Sequence, residues 1–69
     1  MTNYFVLGLN IYFEIDANEN IFSYRFSDGK LSTRLSVSEN ELILAEKVNK
    51  YQFDKAIERR LRYFTKKFK

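Results

Sequence analysis

Five basic side chains recur at helical spacing in the last third of the chain. They follow one another at intervals of four, three, four and three residues, with two further basic residues, Arg60 and Lys67, beside them: Lys55, Arg59, Arg62, Lys66 and Lys69. These intervals place the charges on one face of a helix, where Lys and Arg can neutralise phosphates or contact an acidic protein surface. We therefore expect this face to bind an anionic partner.

An apolar set occupies the opposite side of the same segment. Its members recur at intervals of four, four, three and four residues: Phe53, Ile57, Leu61, Phe64 and Phe68. At about 100° per residue the two sets centre on nearly opposite sides of one helix, so one face should be buried. The same apolar residues could alternatively join two copies of the chain into a homodimer.

The charge is divided unevenly along the chain, whose overall net charge is +3. Residues 1–46 carry three basic and seven acidic side chains, a net of −4, whereas residues 47–69 carry nine basic and two acidic ones, a net of +7. Such a division is typical of proteins that contact nucleic acids, membranes or acidic proteins. Membrane binding is the least favoured, because the apolar side of the helix is needed to close a small core.

Side chains suited to catalysis are scarce. The chain has no His and no Cys, and its nine carboxylates are scattered along the sequence. The only glycines, Gly8 and Gly29, are too far apart to form a phosphate-binding loop. These observations predict a protein that is not an enzyme and that has no metal, no cofactor and no small-molecule substrate.

With 69 residues, the chain has room for one small domain over residues 1–69. Twelve Phe and Tyr side chains must supply most of its buried area. No apolar run approaches the ~18 residues of a membrane span, and the first residues lack the basic leader of a signal peptide. We expect a cytoplasmic protein.

The first half of the chain predicts three β-strands, over residues 4–16, 21–27 and 31–37, in which apolar residues alternate with polar ones. Asp28-Gly29 is typical of a type I′ hairpin turn. Centring the hairpin between the first two strands on residues 18–19 puts all large apolar residues on one face of the sheet. This predicts an antiparallel meander in the strand order 1-2-3, packed against a C-terminal helical region as an α+β fold.

This register predicts a second partner-binding patch on the outer face of the sheet. It places Tyr12 beside Arg25, and Arg34 on the next strand, among small hydroxyl side chains. An aromatic ring with two guanidinium groups can stack on bases and contact phosphates. The alternative is an ordinary solvated sheet face.

The same register leaves residues 4–9 overhanging the central strand. An unpaired strand end that carries Phe5 and Leu7 could pair with a partner or with a second copy. Alternatively, this end could fray or curl over the helix.

The helical region should cover residues 39–67. Ser38 and Glu41 have the spacing of a capping box. The apolar stripe of the first half points about 150° away from that of the second half. Two arrangements would accommodate this: a bend or a break near residues 49–53, with Asp54 capping a second helix, or one long helix whose first half packs on the sheet and whose second half packs elsewhere. The first is the one we expect.

These features favour a small non-catalytic module that binds a nucleic acid or a nucleoprotein complex. The alternatives are a protein-binding inhibitor or regulator whose basic face meets an acidic host surface, and a self-associating structural unit. The composition, rich in Asn, Lys, Ile, Phe and Tyr, resembles that of small accessory proteins of phages and mobile elements, including inhibitors of host defence. This is a resemblance of composition and size, and no motif carries it.

Overall fold

The computed structural model describes residues 1–67, which form five antiparallel strands and two helices. The strands are β1 (Asn3–Leu7), β2 (Ile11–Ile15), β3 (Ile21–Ser27), β4 (Lys30–Arg34) and β5 (Glu46–Val48); the helices are α1 (Glu39–Leu44) and α2 (Lys50–Lys67). The strands form one sheet in the order β4-β3-β2-β1-β5. The α+β class is confirmed, whereas the predicted three-stranded meander is only the β2-β3-β4 part of a larger sheet.

The strand predicted over residues 4–16 is a hairpin. Leu7 of β1 lies opposite Ile11 of β2, and Phe5 lies opposite Phe13, so that residues 8–10 form the turn. Gly8 begins this turn with a φ of 61°, a value that costs glycine little. Because the turn has three residues, odd-numbered positions stay on one face of the sheet on both sides of it. The alternation therefore continues through the turn and resembles a single strand.

Strand β1 is enclosed within the sheet and does not overhang it. It pairs with β2 on one side and with β5 on the other, where Tyr4 lies opposite Val48 and Phe5 lies opposite Lys47. The prediction of an unpaired strand end at residues 4–9 was therefore wrong. The two edges of the sheet are β4 and β5.

The predicted pairing of β2 with β3 was wrong by one residue. Tyr12 lies opposite Tyr24, and Phe13 lies opposite Ser23, whereas the prediction placed Phe13 opposite Tyr24. A shift of one residue in one strand moves its side chains to the other face relative to its neighbour. Tyr12 thus lies on the same face as Tyr24 and Phe26, and Phe13 lies on the opposite face with Ser23 and Arg25.

The loop over residues 16–20 causes this shift. The Asp16 carboxylate accepts hydrogen bonds from the backbone N–H groups of Asn18 and Asn20, both at 2.9 Å. The Asp16 N–H donates to the Asn20 carbonyl at 3.0 Å, and Glu19 has a φ of 63°. This side-chain-supported loop has five residues and not the two of a tight hairpin.

The predicted turn between β3 and β4 is confirmed. Asp28 and Gly29 have φ values of 53° and 76°, as a type I′ turn requires. Phe26 lies opposite Leu31, and Tyr24 lies opposite Thr33, both as the sequence predicts.

Helix α2 covers one face of the sheet and forms the aromatic core. Tyr12, Phe26 and Phe53 are 2%, 5% and 3% exposed. The Phe53 ring meets the Tyr12 ring edge-on, with centroids 6.5 Å apart, and Phe64 stacks on Phe26 at 5.6 Å. Partly buried side chains from β1, β3, β5 and α2 surround this cluster: Tyr4, Val6, Tyr24, Val48, Ala56, Ile57 and Phe64.

The segment between β4 and β5 covers the opposite face. Phe13 is fully buried there and stacks on Phe5, with ring centroids 5.0 Å apart. The Ser23 hydroxyl lies 3.3 Å from the Ser36 carbonyl oxygen, and Arg25 forms an ion pair with Glu41 of α1. The sheet therefore lies between α2 on one side and the crossover segment on the other.

The helical region is split in two, which was one of the predicted alternatives, but the interruption lies at residues 45–49, where strand β5 separates α1 from α2, and not near residues 49–53. The capping box of Ser38 and Glu41 is present at the start of α1, which confirms that prediction. Asp54 does not cap the second helix. Instead, Asn49 accepts from the Gln52 N–H at 2.8 Å, while the Gln52 side chain accepts from the Asn49 N–H at 3.0 Å. This reciprocal pair starts α2 four residues before Asp54.

Candidate binding surface on helix α2

The solvent-facing side of α2 carries four of the five predicted basic residues. We call these the basic row: Lys55, Arg59, Arg62 and Lys66. Lys55 is half-buried, and the other three are exposed. The fifth, Lys69, lies outside the described residues, as does Phe68 of the apolar set; Lys67 is the last residue of α2.

One carboxylate serves two of these four cations. Glu58 lies 3.6 Å from the Lys55 Nζ and also binds the Arg62 guanidinium. Within residues 1–67, neither Arg59 nor Lys66 forms an ion pair. Over its whole length α2 has seven basic and two acidic side chains, a net charge of +5. The basic row therefore remains cationic after its internal pairing.

The two acidic residues of α2 lie on one flank of the helix. At about 100° per residue, Asp54 and Glu58 fall on the same side as Leu61, which faces Leu31 of β4 across a groove. Arg59 falls on the other flank, toward the turn between β1 and β2. That flank has no acidic residue of α2 on it.

A groove of about 340 Å³ lies between this flank and the turn over residues 8–10. We call it the turn groove. Its lining combines apolar, aromatic and cationic side chains around one glycine: Val6, Gly8, Leu9, Tyr12, Ala56, Arg59, Arg60 and Tyr63. Within the described part of the chain, no carboxylate lines it.

Arg60, which the sequence analysis assigned to partner binding, joins the turn to the helix. Its Nε and Nη2 donate to the Asn10 Oδ1 at 3.1 and 2.9 Å. Its guanidinium lies 4.7 Å from the Tyr63 ring centroid and 4.6 Å from that of Phe64. Arg60 is half-buried, and these contacts hold it in place, so its first role is to anchor the turn.

Two further hydrogen bonds fix the same turn. The buried Tyr12 hydroxyl donates to the Leu9 carbonyl at 2.6 Å, and the Phe26 N–H donates to the Asn10 carbonyl at 2.8 Å. Burial raises the pKa of Tyr12, with a smaller opposing effect of Arg60, so the hydroxyl keeps its proton. The turn is thus held by α2, β2 and β3 together.

The predicted second patch of Tyr12, Arg25 and Arg34 does not exist as one surface. Tyr12 is 2% exposed beneath α2, whereas Arg25 lies on the opposite face of the sheet. The Arg25 side chain is only 14% exposed and is bound to Glu41. Arg34 is exposed on edge strand β4. The one-residue shift in register separates residues that the sequence analysis had placed side by side.

Most of the predicted self-association residues are used within the chain. Phe53 is in the core, Ile57 packs against it, and Phe64 stacks on Phe26. Phe5 stacks on Phe13, and Leu7 is half-buried. Among the members that the structure describes, Leu61 is the most exposed, at 42%.

Two residues of the turn groove were missed by sequence reasoning. Leu9 is 66% exposed, although the alternation had placed it on a buried strand face. Tyr63 is 46% exposed and lies four residues after Arg59, a spacing that places an aromatic ring beside the basic row. That spacing is the signal that could have identified Tyr63.

Comparison of this chain with protein-family models, curated proteins and solved structures finds no match. Of the two helices among residues 1–67, neither is long and apolar enough to cross a membrane. The basic row and the turn groove are therefore the features of the molecule that point to a function.

Proposed function

We propose that this chain is a non-catalytic module that binds nucleic acid, alone or within a nucleoprotein complex, through the basic row of α2. The observation that carries the proposal is the pair Arg59 and Lys66. Both are exposed on one helix face, and within residues 1–67 no carboxylate pairs with either. Cations left unpaired in this way favour a partner that brings its own negative charge.

The length of the basic row suits a phosphate backbone. At a rise of about 1.5 Å per residue, the distance from Lys55 to Lys66 along the helix axis is about 16 Å. This corresponds to the axial rise of roughly five nucleotides in one strand of a duplex. The row can therefore contact several successive phosphates without bending the helix.

Complementation of the helix dipole does not account for the whole row. The favourable effect of cations at a helix C-terminus is confined to about the last turn. Lys66 lies there, but Lys55 and Arg59 lie more than two turns from the described end of α2 at Lys67. Because the basic row extends well beyond the last turn of the helix, an external anion explains it better than the helix dipole does.

Salt-dependent binding tests the proposal. We expect fluorescence anisotropy with labelled DNA to show an affinity that falls steeply with salt, with a logarithmic slope of about −2 to −3.6 for three or four phosphate contacts on single-stranded or duplex DNA. Replacing Arg59 and Lys66 together by Gln should make this slope shallower by about 1.5 to 2. Absence of binding at low salt would refute the proposal.

The matched control removes the same charge from a different surface. Arg34 on edge strand β4 and Lys47 on edge strand β5 are both exposed and lie on the sheet face opposite α2. Replacing both by Gln should leave most of the slope intact. If this control weakens binding as much as the α2 variant does, the protein is attracted through its net charge alone, and the assignment to α2 is wrong.

A further inference from the structure

We infer that the turn groove holds an unpaired base and that the protein therefore prefers single-stranded nucleic acid to duplex. The inference rests on the proposed function and assigns its ligand class. Leu9 and Tyr63 would contact the faces of the base, and Arg59 at the rim would contact a neighbouring phosphate. An apolar and aromatic groove next to a line of cations is how proteins hold single strands, because each base offers a flat face beside a charged backbone.

The shape of the groove is fixed before any ligand arrives. Arg60, Tyr12 and Phe26 hold the turn over residues 8–10 by hydrogen bonds of 2.6 to 3.1 Å. A turn held this firmly still leaves the Leu9 side chain 66% exposed. A turn whose backbone is fixed in advance loses little backbone conformational entropy on binding, which favours affinity.

Gly8 leaves room for a ligand to approach the backbone. A Cβ at this position would have no atom within 4 Å, so the turn is open on this side. The groove volume of about 340 Å³ is at the lower end of the range for small-ligand pockets and is sufficient for one flat group.

The charge distribution on α2 favours contact with an anion at the flank that faces the turn groove. Asp54 and Glu58 lie on the other flank, toward β4, and Arg59 lies on the groove side. A strand whose phosphates follow the basic row would thus have its bases beside the turn groove and away from both carboxylates. A duplex offers phosphates to the same row, but its bases are stacked and paired and cannot enter the groove.

The test compares a labelled oligothymidine with a duplex of equal length, in the same buffer and salt. We expect the intact protein to bind the single strand more tightly. Tyr63→Ala and Leu9→Ala should each lower affinity for the single strand, by roughly 5- to 150-fold for Tyr63 if one stacked base is lost. Binding to the duplex should change less than about twofold, since phosphate contacts are kept. Tyr63→Phe should retain the preference.

Tyr51→Ala is the matched control, because Tyr51 is 70% exposed on the same helix but does not line the groove. The Tyr51 ring lies 5.7 Å from the Nζ of Lys55, so any effect through this phosphate contact should change both affinities alike and leave their ratio unchanged. If single strand and duplex bind equally and the groove variants have no effect, the inference is wrong while the proposed function stands. If neither DNA binds at low salt, both are wrong.

Discussion

Arg25 and Glu41 form a bidentate ion pair that joins the crossover segment to the sheet. Nη1 and Nη2 of the guanidinium lie 2.6 and 2.7 Å from the two carboxylate oxygens. The hydrogen bonds from Arg25 lower the pKa of Glu41 from its ordinary value of 4.5 to about 2. No residue of α1 is buried, so this pair and the Ser38 capping box are the polar contacts that position α1.

Glu41→Gln should lower the free energy of unfolding at neutral pH by about 1–2 kcal/mol, the usual worth of a charged hydrogen-bonded pair. Gln retains one oxygen that can accept from the Ser38 N–H, but its NH2 group cannot accept from Arg25, so the loss reports the charge and one hydrogen bond of the pair together. Urea denaturation of the purified variant measures it. Glu39→Gln is the matched control in the same helical turn and should change stability by less than about 0.5 kcal/mol.

The stability of the intact protein should depend on pH through the same carboxylate. Because the folded pKa of Glu41 is depressed, its contribution is fully present above pH 4.5 and is lost as the pH falls toward 2. Glu41→Gln should flatten the stability curve in this range. An unchanged acid dependence in that variant would show that other carboxylates, such as Asp16 with its lowered pKa, account for the effect.

The features that could be predicted from the sequence are those encoded by neighbouring residues. The Asp28-Gly29 turn and the Ser38–Glu41 capping box each depend on a few adjacent side chains, whereas the interruption before α2 contains strand β5 and lies before the break predicted near residues 49–53. The register of β2 against β3 depends on the length of a loop closed by Asp16, which pattern alone does not reveal. An error of one residue in this register placed Tyr12 and Phe13 on the wrong faces of the sheet relative to the side chains of β3.

In the candidate site, too, the part encoded by neighbouring residues could be predicted and the part that depends on distant contacts could not. The basic row could be predicted, because helical spacing fixes which residues share a face. The turn groove could not, since it requires knowing that residues 8–10 form a turn that folds against α2. Arg60 shows the limit most clearly: its charge suggested partner binding, but its contacts with Asn10 come from fifty residues away in the chain.

Phe53→Ala should remove much of the stability of the domain. Phe53 is 3% exposed and contacts the rings of Tyr4, Tyr12 and Tyr24. A buried Phe→Ala change costs about 3–5 kcal/mol, a large fraction of what a small domain has. Thermal denaturation followed by circular dichroism should show a broad or absent transition. Tyr51→Ala, on the exposed side of α2, should leave the transition in place, and equal loss in both variants would place the core elsewhere.

Gly8→Ala should lower stability through the backbone alone. The φ of 61° at Gly8 lies in the left-handed region, and an added Cβ meets no atom within 4 Å. The expected cost is therefore only the conformational one, about 1–2 kcal/mol. Gly8→Asn should cost less, because Asn tolerates this region better than Ala. Chemical denaturation compares the two variants, and an equal cost for both would mean that side-chain type at the turn matters less than expected.

Arg59 and Arg60 are adjacent in the chain, but changing each to Gln should affect a different property: DNA binding for Arg59 and folding stability for Arg60. Arg59 is exposed at the rim of the turn groove and forms no ion pair within residues 1–67, so Arg59→Gln should weaken DNA binding and leave the free energy of unfolding within about 0.5 kcal/mol of the original. Arg60→Gln removes the hydrogen bonds to Asn10 and the stacking on Tyr63. It should cost about 1–2 kcal/mol of stability.

A double-mutant cycle separates these roles. Arg60→Gln and Asn10→Ala should be coupled by about 0.5–1.5 kcal/mol, because each removes the same hydrogen bonds, whereas Arg59→Gln and Asn10→Ala should be additive. Hydrogen exchange at residues 8–10 should accelerate only in the Arg60 and Asn10 variants, since only these release the turn. If Arg59→Gln destabilises the fold as much as Arg60→Gln does, Arg59 is a structural residue, and the basic row loses the side chain on which its binding role most depends.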